Sequence, residues 1–159
     1  MAWLLPPTEN EGQNEMKGEL NLTITSDCSD DDFRQICRGL IAYNYSESGG
    51  KIDLPCDEDI RLALKDPQGK VLGGISGHIA LYCWFIEELW LDKRAQGKGY
   101  GRRILKKGED IAREKGCRIA QTNTFTFQSP GFYASQGYEE IAVVDVCEGV
   151  RQLYFYKQL

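Results

Sequence analysis

Apolar residues recur along this chain in two rhythms, and the switches between them predict its elements. Leu20, Leu22 and Ile24 alternate with polar residues over 19–26, the two-residue period of a strand. Ser29 with Asp32 three residues on has the form of a helix capping box. Phe33, Ile36, Cys37, Leu40 and Ile41 then fall on one face at helical spacing, up to a loop at 46–50. Residues 60–64 and 71–81 predict a hairpin, joined by the turn-forming Asp66-Pro67-Gln68-Gly69. Residues 82–91 are apolar except at Glu87-Glu88, which predicts a central strand covered on both sides. An amphipathic helix follows with Ile104, Leu105, Gly108, Ile111 and Ala112 on one side. Arg113 and Lys115 suit its last turn, and Gly116 its C-terminal cap. A strand at 118–124, a short helix at 130–136 and closing strands at 141–146 and 152–156 complete the reading.

The order is strand, helix, three strands, helix, strand, helix, two strands. That is a mixed α/β domain around one sheet, and 159 residues suffice for one such core. Residues 1–18 read as a flexible leader and 19–159 as the single domain. No stretch approaches the ~18 consecutive apolar residues of a membrane helix. The opening Met1-Ala2-Trp3-Leu4-Leu5 is too short for a signal peptide and has no positive charge before it. The expectation is a cytoplasmic protein without a membrane partner. Cys28, Cys37, Cys56, Cys83, Cys117 and Cys147 form no C-x-x-C pair, and His78 is the single histidine. The cysteines therefore read as small core residues and no metal is expected. His78 reads as structural or exposed.

Charge changes the picture. The net charge of −5 argues against a nucleic-acid partner. Yet residues 93–107 carry Lys93, Arg94, Lys98, Arg102, Arg103, Lys106 and Lys107 with no acidic residue among them. A cationic stretch on an acidic chain suits either an anionic ligand or a solvated helix face. The glycines favour the ligand. Gln96-Gly97-Lys98-Gly99-Tyr100-Gly101 joins the apolar strand to the amphipathic helix. There, glycine backbone and the open N–H groups of a helix start can receive a phosphate. The segment is neither a P-loop, because Arg102 and Arg103 follow Gly101, nor a dinucleotide fingerprint, because Arg102 or Ile104 occupies the third glycine position.

It resembles motif A of the GNAT N-acetyltransferases, [Q/R]-x-x-G-x-[G/A], through Gln96, Gly99 and Gly101. The strand ending Glu88-Leu89-Trp90-Leu91 is similar to that family's fourth strand, and 127–138, with Phe132-Tyr133 and Gly137-Tyr138, to its FYxxxGY segment. The resemblance covers roughly 19–159. It implies a central mixed, mostly antiparallel sheet flanked by helices, with a V-shaped splay between the fourth and fifth strands.

The resemblance further implies acetyl-CoA as co-substrate. Backbone N–H groups of Gln96, Gly97, Lys98, Gly99, Tyr100 and Gly101 would hold its pyrophosphate. Arg102 and neighbouring cations would lie near its phosphates, and Leu89, Trp90 and Leu91 along its pantetheine arm. Tyr133 stands at the family's general-acid position, where a phenol with pKa near ~10 is protonated at neutral pH. Glu87 or Glu88 is the candidate base. Strand alternation points them to opposite faces, so one at most enters the site, and solvent can serve instead. Thr126 stands where many members place a coenzyme-binding Asn. The acceptor is expected to be a small-molecule amine. A protein lysine or N-terminal amine and a non-catalytic acetyl-CoA-binding module are the alternatives. Tyr43, Asn44, Tyr45 and 148–151 are the candidates for acceptor selection, and a homodimer is compatible with such a domain.

Overall fold

The computed structural model describes residues 22–52 and 58–159. The order is α1 (Asp30–Glu47), β1 (Glu58–Lys65), β2 (Val71–Ala80), β3 (Cys83–Leu91), α2 (Tyr100–Glu114), β4 (Ile119–Phe125), α3 (Pro130–Ser135), β5 (Glu139–Cys147) and β6 (Val150–Gln158). One six-stranded sheet runs β1-β2-β3-β4-β6-β5. Its pairs are antiparallel except β3 with β4.

Most boundaries follow from local chemistry. Ser29 and Asp32 form the reciprocal capping box: the Asp32 amide donates to Ser29 Oγ at 3.2 Å, and the Ser29 amide to Asp32 Oδ2 at 2.9 Å. In the β1–β2 turn, Asp66 Oδ1 accepts from the amides of Gln68 at 3.0 Å and Lys70 at 2.9 Å.

One predicted element is absent among the described residues. Residues 22–26 form no strand, and Leu22 and Ile24 are exposed. Alternation makes a strand only where an edge accepts it, and β1, the edge here, pairs with β2 alone. The expected apolar face of α1 exists but buries nothing: Phe33, Ile36 and Leu40 are all exposed. The leader over 1–18 lies outside the described residues.

The two faces of the sheet differ. The inner face carries Ile60, Ile75, Ile79, Trp84, Ala120 and Phe155, packed under α2 through Leu105 and Ala112 and under α3 through Tyr133. The outer face carries Ser76, His78, Phe85, Trp90 and Asn123. The core reading of the cysteines holds for Cys83 and Cys117, which are buried; burial pushes the Cys83 thiol up to about 12, with Cys117 beside it raising it further. Cys28 and Cys147 are instead exposed and Cys37 half-buried; α1 and β5 bury none of their residues. Cys56 lies outside the described residues.

A fault in the ladder decides where the site lies. Ser76 pairs with Glu88 but Gly77 pairs with Ile86, so Glu87 is an extra residue in β3. A Cβ on Gly77 would lie 2.1 Å from the Phe85 carbonyl oxygen, so only glycine permits this close approach. Bulges bend the strand that carries them. Pairing of β3 with β4 ends at the same level, with Ile86 against Thr122. Beyond it the strands part, which is the expected splay. With no strand at 22–26, it falls between the third and fourth of the described strands.

Candidate active site

The splay opens into a cleft of about 860 Å³. Leu89, Trp90 and Leu91 form one wall, Asn123 and Thr124 the other. Thr124 faces inward and Asn123 outward, so the cleft passes through the sheet. The Thr122 hydroxyl donates to the Ile86 carbonyl at 3.3 Å and closes its apex.

At one end is the glycine loop. Gly97 and Gly99 have φ of +70° and +78°, and a Cβ on either would meet nothing within 4 Å. Backbone conformation, not space, requires glycine there. Gly99 caps α2 without any side-chain hydrogen bond, and the first turn of α2 has no acidic residue. The open N–H groups and positive dipole end are thus left for an anion from outside the chain. Gln96 behaves differently from its neighbours. Its amide donates to the carbonyls of Asp92 at 3.2 Å and Lys93 at 3.3 Å, and its Nε2 to the Leu91 carbonyl at 2.9 Å. Gln96 therefore braces the loop against β3, and the open amides begin at Gly97. Arg94 is engaged by Asp92 at 2.8 Å and holds that carboxyl down at about 2. Arg102 lines the cleft, and among the described residues it joins no ion pair.

Tyr133 lies at the cleft and is otherwise buried, in contact with Phe132, Tyr138 and Phe155, their ring centroids 5.3, 5.6 and 5.9 Å away. Burial pushes its phenol above the ordinary range, opposed by the Thr122 hydroxyl. Behind it, Tyr138 donates to buried Glu109 at 3.1 Å, and Lys157 Nζ donates to Glu109 at 2.9 Å and to the Gln136 carbonyl at 2.8 Å. This brace ties α2, the end of α3 and β6 around Tyr133.

Both glutamates border the cleft, which corrects the expectation from alternation. Glu88 bonds Ser76 Oγ, and Glu87 Oε1 lies 3.0 Å from His78 Nδ1. Ser76 and His78 share the outer face, so the bulge turns both carboxylates to one side. His78 also stacks on Phe85, with centroids 5.1 Å apart.

Of the residues singled out in the sequence, the cleft gathers Glu87, Glu88, Leu89, Trp90, Leu91, Gln96, Gly97, Gly99, Gly101, Arg102 and Tyr133. Lys98, Tyr100 and Thr126 are not in its lining; Thr126 instead pairs its amide with the Arg151 carbonyl at 2.9 Å. Asn123, Thr124, Gln128, Ser129, Phe132 and Gln136 line it and were not anticipated. Gln128 holds Thr124 Oγ1 and the Phe125 amide, both at 2.9 Å, a turn bond with no periodic signal in the sequence.

The chain matches the family model described as Acetyltransferase (GNAT) family over residues 29–138. A blasticidin-S acetyltransferase of Streptomyces morookaense is 36% identical over 94 residues, 58% of this chain and 69% of that protein. A crystal structure of an acetyltransferase from Bacillus cereus superposes with a TM-score of 0.72 at 35% identity, over 86% of this chain and 98% of that one. A nourseothricin acetyltransferase shares the fold, with a TM-score of 0.55 at 14% identity over 63% of this chain and 65% of that one. The uncapped glycine loop, the splayed strands and the sequence match lead to one assignment: this chain belongs to the GNAT family and is an acetyltransferase.

Proposed function

We propose that the protein moves the acetyl group of acetyl-CoA to a primary amine of a small molecule by direct attack, with both substrates bound. The observation that carries this reading is a single through-sheet cleft bordered by the uncapped start of α2, by Tyr133 and by two carboxylates. The amides from Gly97 onward and Arg102 bind the diphosphate of the coenzyme. The β3 backbone freed by the splay runs beside its pantetheine arm. A small-molecule acceptor is supported by the relative named for blasticidin S.

The chemistry assigns each group a task. The amine must lose a proton before its lone pair can attack. Glu87, paired with His78, or water receives that proton, while Glu88 attracts the cationic amine. A nitrogen–carbon bond forms to the acetyl carbonyl and the carbon–sulfur bond breaks. Tyr133 gives its proton to the departing thiolate. Its raised pKa keeps the phenol protonated throughout the physiological range.

Free CoA release measured with a panel of small amines, amino acids and lysine peptides tests the reading. Acetyl-CoA at 100 times its dissociation constant should stabilise the fold by about 2.7 kcal/mol. Tyr133→Phe should lower kcat about 100-fold and leave the acetyl-CoA KM nearly unchanged. Equal kcat in that variant removes Tyr133 from the mechanism. Turnover confined to lysine peptides would make a protein the acceptor, and stabilisation without turnover on any amine would mark a binding module.

A further inference from the structure

A second hollow, of about 430 Å³, lies along β1, β2 and the far half of β3, largely on the outer face. Glu88 and Trp90 border both this hollow and the cleft, so the two spaces join at those side chains. Leu62, Ala63 and Val71 form its far side, and Gly73 and Gly74 its floor.

The floor is bare by necessity. Trp90 stands directly across the ladder from Gly74. A Cβ on Gly74 would lie 2.7 Å from the Leu62 carbonyl oxygen, so no side chain can stand there. The Trp90 indole is 58% exposed. An exposed indole beside a bare strand presents a flat apolar surface, suited to stacking against another ring. The charges favour a cation. Glu88 stands at the junction with the cleft and Glu87 lines the cleft beside it, whereas Arg61 on the rim is already answered by Asp59.

We propose that this hollow is the acceptor subsite and that it selects amines carried on a flat, unsaturated ring. The ring packs beside Trp90 on the Gly73–Gly74 shelf, and the amine extends past Glu88 into the cleft. Acceptor choice then lies with β1–β3 and not with Tyr43, Asn44, Tyr45 or 148–151. The proposal rests on the acetyltransfer reading given above.

The test compares tryptamine and tyramine with spermidine and lysine amide, in the wild-type protein and in Ala63→Trp. Ala63 is exposed and outside the cleft lining, so the new indole fills the hollow alone. The flat amines should show kcat/KM at least 10-fold above the flexible ones. Ala63→Trp should raise their KM at least 10-fold, with the acetyl-CoA KM unchanged; Ala63→Leu, a smaller filler, should act in the same direction. An unchanged KM, or a preference for the flexible amines, overturns the proposal. So does equal impairment with every amine accompanied by loss of stability, which would make the hollow a structural part of the sheet and not a subsite. If no amine is turned over while acetyl-CoA still raises the melting temperature, the enzymatic reading fails separately. Calorimetric titration with tryptamine then decides the subsite: saturable heat lost in Ala63→Trp supports it, and no heat in the wild-type protein overturns it.

Discussion

Trp84 and Trp90 stand six residues apart on the same strand and have opposite fates. Trp84 is completely buried on the inner face, across from Ile79, whereas Trp90 is 58% exposed on the outer face, across from Gly74. An even separation in a regular strand would place both on one side. The extra residue at Glu87 reverses the second half of β3. One half of the strand thereby serves the core, and the other half lines the cleft and the hollow. The difference teaches that a single inserted residue supplies three features together: the splay from β4, the shared side of Glu87 and Glu88, and the exposure of Trp90.

Three substitutions sharpen that contrast. Trp84→Ala should have the largest effect, about 4 kcal/mol lost in chemical denaturation, because it removes a fully buried aromatic ring and leaves a cavity. Glu109→Ala should cost about 2–3 kcal/mol, since it strands Lys157 and the Tyr138 hydroxyl in a mostly buried brace. It should also lower kcat by loosening the support behind Tyr133, and kcat at matched folded fraction checks this. Trp90→Ala should change stability by less than about 1 kcal/mol, as expected of an exposed position. A Trp90→Ala loss as large as that of Trp84→Ala would end the division of β3 into a structural and a functional half.

Much of this was legible in the chain. The α1 cap, the β1–β2 turn and the amphipathic α2 are local, and residues within a few positions of one another decide them. The glycine loop was legible for the same reason: Gly97 and Gly99 meet nothing, and their backbone angles alone require them. Tyr133 was reached through resemblance, since nothing in its own segment announces a cleft.

Three features were not legible. Strand alternation over 19–26 promised an element that finds no edge to pair with among residues 22–26. The apolar face of α1 promised burial that does not occur. Alternation in β3 separated two glutamates that the bulge brings to one side.

The sequence by itself determined the kinds of element from α1 onward, their order and the glycine loop, because those depend on short-range sterics and hydrogen bonds. Only the tertiary structure decided which strand pairs, where the ladder slips and which face each side chain meets. Those outcomes depend on contacts between residues far apart in the chain, such as Thr122 against Ile86 and Tyr138 against Glu109. No local pattern encodes them, since each side of such a contact is ordinary until the other arrives.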